Sequence, residues 1–347
     1  MATSFPTYSN SFVPAYDQSA KLVVGYSRNW KEFPVNRLCT ISPVDKPTGY
    51  YLRLKPEALG RNINSPYSYA WPDGQPCPIQ VENAQDFDFV QYYTQRYAKT
   101  FPVGYNTEAN AVWDIVKSQS DVLANQMMTM RAMQFYSVLG TSGNYTSSNT
   151  DTATNLGGGF WSAGTSTNRY IQKTLMAASR AIIKNTMNGV KLQDLVLVIG
   201  PTIADAMARS AEIADYVAQS PDASKFLEFD VWNQQNRLWG LPSSLYGIQL
   251  CVDETVEEVA KIGGTSSKSF VQGDANAFLI TKQGALSGQA GGSAFSSIHM
   301  FTKSDEEMAL DVIDDPLNKR RVIRLVDTWQ FKLVAQESAY LITNILS

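Results

Sequence analysis

The order in which hydrophobic patterns follow one another along this chain constrains its fold more than any motif. The first part, to about Phe101, is rich in Pro, Tyr and Asn and has no helical periodicity. One long amphipathic segment follows over residues 107–139, then an α/β pattern, then alternating strand patterns over residues 296–346. Because such a long extended segment cannot bury its own aromatic side chains, the order predicts an assembly subunit rather than a self-contained enzyme.

The N-terminal segment is predicted to be an arm over residues 1–40. Pro6, Pro14 and Pro34 interrupt any helix there, because proline lacks the backbone donor and restricts the residue before it. The one alternating piece, residues 21–24, is short. An arm of this kind has little core of its own.

Residues 41–100 are predicted to form a long β-excursion that leaves the body and returns. Residues 50–54 and 87–97 alternate between apolar and polar side chains, as strands with one buried face do. Residues 71–74, Trp-Pro-Asp-Gly, predict a turn, because Pro presets φ and Gly accepts a positive φ. The pattern indicates a long hairpin.

A single long helix is predicted over residues 107–139. Asn106 or Thr107 is expected to cap it, Glu108 places a negative charge in its first turn, and Gly140 ends it. Apolar side chains at spacings of four and three form one stripe, which we interpret as core packing: Val112, Val116, Leu123, Met127 and Met130.

A compact α/β region is predicted after a Ser/Thr/Asn/Gly-rich loop at residues 141–167. Its first helix carries a stripe of Ile171, Leu175, Ala178 and Ile182 and stops at Asn188-Gly189. The continuous apolar run at residues 195–199 predicts a strand buried on both faces. We expect a further helix at residues 202–209, strands at 248–252 and 277–281, and closing strands at 298–302, 308–313, 322–334 and 339–346.

Composition argues against several functions. The formal net charge is −3 with a pI near 5.4, and no basic patch of the kind that grips nucleic acid is visible apart from Lys319-Arg320-Arg321. Cys39, Cys77 and Cys251 are far apart and form no zinc spacing, so reduced thiols are expected. No stretch approaches the roughly 20 apolar residues of a membrane span. We expect no cofactor.

Candidate catalytic groups are few. His299 is the only histidine, and it lies in an alternating strand where a structural role is expected. Residues 263–269 resemble a phosphate loop but carry Ser267 where the Walker pattern needs Gly, so a surface loop is expected. The carboxylate clusters at Glu257-Glu258 and at Asp311 are expected to be solvated or paired across subunits.

The order of these segments resembles the tailed-bacteriophage major capsid proteins, whose fold is shared with encapsulin shells and the herpesvirus capsid floor. The resemblance rests on a strand returning into a long helix, a buried strand, a loop followed by a strand, and the closing strands: residues 89–105, 106–140, 192–200, 238–250 and 327–341. It implies an α+β fold with an N-arm, an extended β-hairpin E-loop, a P-domain with a long spine helix, and an axial A-domain. The implied bounds are 1–40 for the N-arm, 41–100 for the E-loop and return strand, 101–164 and 297–347 for the P-domain, and 165–296 for the A-domain.

The resemblance implies the structural subunit of an icosahedral double-stranded DNA phage head, a virion component assembled in the host cytoplasm and not an enzyme. Its partners would be itself, as hexamers and pentamers, with a scaffolding protein, a portal, a decoration protein and enclosed DNA that is not bound sequence-specifically. The sequence begins directly with the arm, so a scaffolding segment is either separate or removed. Intersubunit contacts are expected at aromatic residues of the excursion and at a charged turn: Tyr50, Trp71, Phe87, Asp314, Asp315, Lys319, Arg320 and Arg321.

Three alternatives stay open at this point. The first is an encapsulin-like compartment that holds an enzyme. The second is another structural virion protein, such as a tail-tube or decoration protein. The third is a hydrolase that uses a carboxylate pair, which would need a deep pocket lined by Glu257, Glu258 or Asp311.

Overall fold

A computed structural model describes residues 33–59, 71–76, 87–111, 114–165, 167–219, 239–242, 244–260, 264–282 and 296–346. Most of the predicted arm, residues 1–32, and Cys77 lie outside the described residues. The helices are α1 (Val35–Leu38), α2 (Tyr105–Asn110), α3 (Ile115–Gly140), α4 (Ala153–Gly157), α5 (Tyr170–Asn185), α6 (Pro201–Ala208) and α7 (Ala211–Ala218).

Within the described residues, the strands run from β1 to β15 in chain order. They are β1 (Thr40–Val44), β2 (Thr48–Leu54), β3 (Phe87–Tyr93), β4 (Gln95–Gly104), β5 (Thr150–Thr152), β6 (Leu195–Ile199), β7 (Ser244–Leu245), β8 (Ile248–Val252), β9 (Val256–Glu258), β10 (Lys268–Phe270), β11 (Ala277–Thr281), β12 (Ile298–Lys303), β13 (Ala309–Asp315), β14 (Arg320–Leu333) and β15 (Tyr340–Thr343). The predicted strands at 195–199, 248–252 and 277–281 are therefore confirmed as β6, β8 and β11.

A five-stranded sheet is built around β14. Strands β12 and β13 pair antiparallel with successive parts of β14, and β4 pairs antiparallel along its opposite edge. Strand β1 joins β12 in parallel. Helix α3 packs against β14 and β4, and together they enclose the first hydrophobic core.

The long helix differs from the prediction at its start. The chain forms α2 and then α3, with Ala111 in an extended conformation between them (φ −75°, ψ 137°). The predicted cap at Asn106 or Thr107 is wrong, because α2 has no side-chain cap and Asp114 instead accepts a hydrogen bond from the Lys117 amide at 2.9 Å. Aspartate is among the best N-cap residues, so it restarts the helix.

The apolar stripe of α3 faces the first core as predicted. Leu123 and Met127 are buried there, while Val116 and Met130 are partly buried against it. The side chain of Val112 lies outside the described residues. The structure adds a wider set of buried α3 side chains, namely Ile115, Met128, Arg131, Ala132, Phe135, Tyr136 and Leu139.

A six-stranded sheet in the order β5-β15-β11-β6-β8-β7 separates the two cores. Val196 and Val198 face the first core, while Leu197 and Ile199 face the second core, which also contains the α5 stripe. Every residue of β6 is buried, which explains the continuous apolar run. Strands β5 and β15 hydrogen-bond within this sheet, so it joins segments that the expected domain bounds assign to different domains.

The predicted end of the arm is part of the folded body. Val35 and Leu38 of α1 are buried in the first core. The Lys282 ammonium donates to the backbone oxygen of Cys39 at 2.6 Å, which ties the entry to β1 against the end of β11.

Candidate assembly surfaces

The β2–β3 hairpin has two different faces. Its strands pair over seven positions, from Thr48 opposite Tyr93 to Leu54 opposite Phe87. Because side chains alternate along a strand, this register divides the hairpin into two sets. We call the set that contains Tyr50, Leu52, Phe89 and Tyr93 the outer face, and the set that contains Tyr51 and Tyr92 the inner face.

The outer face is apolar and exposed. The exposed fractions are 68% for Tyr50, 55% for Leu52, 75% for Phe89 and 60% for Tyr93. Leu52 and Phe89 are directly opposite each other across the two strands. Contiguous aromatic and aliphatic groups of this kind mark interaction surfaces, because burying each large apolar side chain stabilises a complex by about 1.5–3 kcal/mol.

The inner face anchors the hairpin to the body. The rings of Tyr51 and Tyr92 both stack on Phe301 of β12, with centroid distances of 5.5 and 4.7 Å. Arg53 bridges Asp88 within the hairpin at 3.2 Å and Glu337 in the body at 3.5 Å. The hairpin therefore projects from a defined base.

Gly49 is required for this anchoring. It pairs with Tyr92, and the tyrosine ring crosses directly above it, so a Cβ at position 49 would overlap the ring and its hydroxyl. Glycine in a strand often marks such a close approach. Any side chain here would displace Tyr92 from Phe301.

Two further aromatic candidates belong to the excursion. Trp71 is 62% exposed, and its indole NH donates to the Gln75 carbonyl oxygen at 2.5 Å. The predicted turn is confirmed, since Gly74 has φ +81° and the Gln75 amide donates to Pro72. Phe87 begins β3 opposite Leu54, and its side chain lies outside the described residues.

The charged turn forms the tip of the β13–β14 hairpin. Asp314 pairs with Arg321 at 3.0 Å, and Asp315 pairs with Arg320 at 2.9 Å. Lys319 takes a left-handed conformation at the turn, with φ 49°. Four of the five charged side chains that the sequence suggested for contacts between subunits are thus paired within one chain, and Lys319 forms the turn.

The hairpin tip is also tied to the start of α2. Arg321 reaches Glu108 at 2.5 Å, and the Tyr105 amide donates to the backbone oxygen of Lys319 at 3.0 Å. Leu317, between the paired charges, is 95% exposed. The apolar tip is therefore the most exposed part of this hairpin, beside charges that are mostly paired within the chain.

Two buried polar pairs connect α3 to the sheets. Arg131 donates to both carboxylate oxygens of Asp327 at 2.7 and 2.8 Å, and both side chains are buried. Burial raises the pKa of Asp327, and the hydrogen bonds from Arg131 oppose that shift. The Tyr136 hydroxyl donates to Asp253 at 2.5 Å, and burial raises the pKa of this tyrosine well above its ordinary value.

Among the described residues, the one histidine contacts a serine hydroxyl but no hydrogen bond joins it to a carboxylate that could orient it as a catalytic base. His299 Nδ1 lies 2.9 Å from the Ser42 hydroxyl, a cross-strand contact between β1 and β12. Burial, together with the Lys282 charge, lowers the pKa of His299. Burial raises the pKa of the Cys39 thiol to about 11 and that of Cys251 to about 12, so both stay protonated at neutral pH.

The carboxylate clusters are engaged in structural contacts. Hydrogen bonds from Ser266 and Ser267 lower the pKa of Glu258, and Asp311 pairs with Arg324 at 2.8 Å. A pocket of about 370 Å³ between α3 and residues 271–278 is lined by Glu257 but not by Glu258 or Asp311. In the described part of the chain no cluster of three potential metal-ligating side chains occurs.

None of the described helices combines the length and apolar character that crossing a membrane requires. Sequence reasoning named Tyr50 and Trp71 but missed Leu52, Phe89, Tyr93 and Leu317. The alternation within residues 50–54 and 87–97 indicated that Leu52, Phe89 and Tyr93 lie on strands with two different faces. The register of the hairpin was needed to place them on one face.

Comparison with solved structures places this geometry in a known fold. A phage-related protein from Bordetella bronchiseptica matches with a TM-score of 0.59 and 15% identity, over 92% of this chain and 94% of that chain. The mature capsid of bacteriophage PhiM1 matches with a TM-score of 0.54 and 9% identity, over 94% and 91%. This chain has the tailed-phage capsid fold.

The same fold is also found in an encapsulin. An encapsulin complex from Synechococcus elongatus matches with a TM-score of 0.51 and 10% identity, over 95% of this chain and 94% of that chain. No family model and no curated protein sequence matches the chain. At these identities the likeness establishes the capsid fold, and function has to be argued from the surfaces.

Proposed function

We propose that this protein is the structural subunit of an icosahedral phage head and assembles as hexamers and pentamers around double-stranded DNA. The outer face of the β2–β3 hairpin carries the proposal. Four large apolar side chains on a thin two-stranded projection are unfavourable in a free subunit. They become favourable when a neighbouring copy covers them.

The anchored base of the hairpin supports this proposal. The stacking of Tyr51 and Tyr92 on Phe301 and the Arg53–Glu337 ion pair set the direction in which the outer face projects. A contact held in place before assembly loses less conformational entropy on binding. In this proposal the hairpin is the E-loop and α3 is the spine helix of the P-domain.

Further contacts are proposed at Trp71, Phe87 and the tip of the β13–β14 hairpin. At the tip, Leu317 makes the apolar contact, while Asp314, Asp315, Arg320 and Arg321 hold the hairpin in shape and Lys319 forms its turn. Exposed ion pairs contribute little by themselves, so the apolar residue is expected to dominate.

Enclosed DNA would lie against a wall that does not bind it tightly, because the chain's formal net charge is −3. The proposed partners are other copies of the chain, a scaffolding protein, a portal and a decoration protein. Assembly would take place in the host cytoplasm, the product would be a virion component, and the subunit would have no enzymatic activity.

An encapsulin-like compartment is the second candidate, because an encapsulin complex shares the fold. The contents of purified shells discriminate between the two. Nuclease-resistant double-stranded DNA supports the phage head, whereas a co-purifying enzyme supports the compartment.

The test is a double substitution on the outer face, Tyr50→Asp with Phe89→Asp, in the full chain with any co-expressed scaffold. We expect folded subunits that form no closed shells, because two charges per copy would be buried unpaired in each contact. The matched control, Tyr50→Phe with Phe89→Tyr, keeps the aromatic area and should form shells.

Negative-stain electron microscopy and sedimentation velocity measure the outcome, with circular dichroism as the check on folding. If the aspartate variant formed normal shells, the outer face would not be an assembly contact. If the unsubstituted chain remained a monomer under every condition, the whole proposal would fail.

A further inference from the structure

Strand β13 leaves one edge of the five-stranded sheet open. It pairs with β14 over seven positions, from Ala309 opposite Val326 to Asp315 opposite Arg320. Strand β13 is the outermost strand on that side of the sheet, and within the described ranges it has no second strand partner. An open edge presents unpaired backbone donors and acceptors, which form a template for another strand.

Two of the usual devices that protect an edge, proline and a β-bulge, are absent from β13. The strand has no lysine or proline, and its register with β14 is continuous. Its three aspartates pair with arginines of β14, but the side chains of Asp314 and Asp311 remain 61% and 46% exposed, so the edge keeps an acidic character. The exposed fractions of its apolar side chains are 48% for Leu310, 50% for Val312 and 41% for Ile313.

One face of β13 extends the first core. Leu310 is opposite Leu325 and Val312 is opposite Ile323, and both β14 partners are buried in that core. Leu310 and Val312 therefore continue the buried apolar layer outward to the open edge. A strand added there with apolar side chains on the same face would cover them.

A segment with matching chemistry lies at residues 20–26, outside the described part of the structure. Its sequence is Ala-Lys-Leu-Val-Val-Gly-Tyr, so an extended conformation would place Ala20, Leu22, Val24 and Tyr26 on one face. It equals β13 in length and contains no proline. Lys21 is its one charged residue, which complements the acidic β13.

A second alternating stretch outside the described residues fits less well. Residues 226–232 alternate in a similar way, but they carry Glu228 and Asp230. Placing those carboxylates beside the aspartates of β13 would set like charges side by side, which destabilises a strand pair. Charge thus favours residues 20–26.

We propose that residues 20–26 add to the open edge of β13 as a further strand. Main-chain hydrogen bonds would supply the affinity, and Leu22 and Val24 would cover Leu310 and Val312. The inference goes beyond the proposed function, because it assigns a specific acceptor to the N-terminal arm. It holds whether or not the chain forms a phage head.

Hydrogen exchange of the full chain, followed by mass spectrometry, tests the pairing. We compare the unsubstituted chain with Val312→Lys, which places a charge on the covered face, and with Val312→Thr as a matched control. Residues 20–26 should exchange on the order of tenfold faster in Val312→Lys than in the other two proteins, because their amides lose their partners. Circular dichroism checks that all three proteins are folded.

The reciprocal variant changes the other strand. In Leu22→Lys with Val24→Lys, the β13 amides that are not bonded to β14 should lose protection while those of β14 keep it. Protection that persists in a monomeric fraction assigns the added strand to the same chain, and protection confined to assembled fractions assigns it to a second copy; both results support the pairing.

Two results would overturn the pairing. One is exchange of residues 20–26 at the rate of an unprotected peptide in every fraction of the unsubstituted chain. The other is unchanged protection in a folded Val312→Lys. A chain that forms shells but leaves residues 20–26 unprotected refutes this inference alone, whereas protection without shells refutes only the proposed function.

Discussion

Two regions of the molecule reverse the usual placement of charged and apolar side chains. One is the interface between α3 and β14, and the other is the β2–β3 hairpin. The interface buries a charged pair, Arg131 with Asp327, while the hairpin exposes Tyr50, Leu52 and Phe89. The buried charges pair with each other inside one chain, whereas nothing in the described part of the chain covers the outer face. The α3–β14 interface is closed within one chain, whereas the outer face of the hairpin leaves large apolar side chains uncovered.

The largest effect should come from breaking the buried pair. Arg131→Met leaves Asp327 buried without its cation, which should lower the free energy of unfolding by about 3–5 kcal/mol. Adding Asp327→Leu should recover most of this loss, because the uncompensated charge is gone. Urea unfolding of the dissociated subunit measures both. A single variant as stable as the unsubstituted protein would show that the pair does not hold the interface.

A smaller loss is expected from the second buried contact. Tyr136→Phe removes a hydrogen bond to buried Asp253 and should cost about 1–3 kcal/mol of unfolding free energy. Tyr97→Phe is the matched control, because the Tyr97 hydroxyl bonds exposed Gln95 while its ring packs on Trp329. Equal effects of the two substitutions in urea unfolding would argue against a special role for the Tyr136–Asp253 contact.

The base of the hairpin should respond to pH through His299, the only histidine. Because its pKa is lowered in the folded state, the unfolded chain binds more protons as pH falls below the ordinary value near 6.5. The stability gained from burying the neutral His299 ring is fully present above the ordinary pKa. It is lost as the pH falls through the lower pKa of the folded state. The stability difference between the unsubstituted protein and His299→Asn should therefore shrink from pH 8 to pH 5.

Urea midpoints across that range measure the difference. The groups that influence the His299 ring from neighbouring elements include Lys282, which adjoins β11, and Ser42 of β1. A stability difference that is independent of pH would show that His299 does not titrate differently on folding.

The smallest effect on the isolated subunit should come from the outer face. Phe89→Ser should change the unfolding free energy by no more than about 0.5 kcal/mol, because this side chain is exposed. The same substitution should reduce shell formation. If it destabilised the dissociated subunit as much as Tyr136→Phe, the contrast between the body and the hairpin would be false.

Local periodicity predicted much of the fold. The stripe of α5 and the strands β6, β8 and β11 were found because their burial repeats at short spacings. The break between α2 and α3 was missed, because Asp114 is an unremarkable polar residue until its carboxylate caps the Lys117 amide. The charged turn was located correctly, but its pairing within one chain depends on the β13–β14 register.

The sequence by itself determined the order of elements, the apolar stripes and the extended character of the excursion, because these depend on neighbours within a few residues. Only the tertiary structure decided which side chains share a face. The register of β2 with β3 unites Leu52 and Phe89, and the packing of α3 on β14 joins Arg131 to Asp327 across most of the chain. Such contacts depend on the packing of elements distant in sequence, and no local pattern encodes that packing.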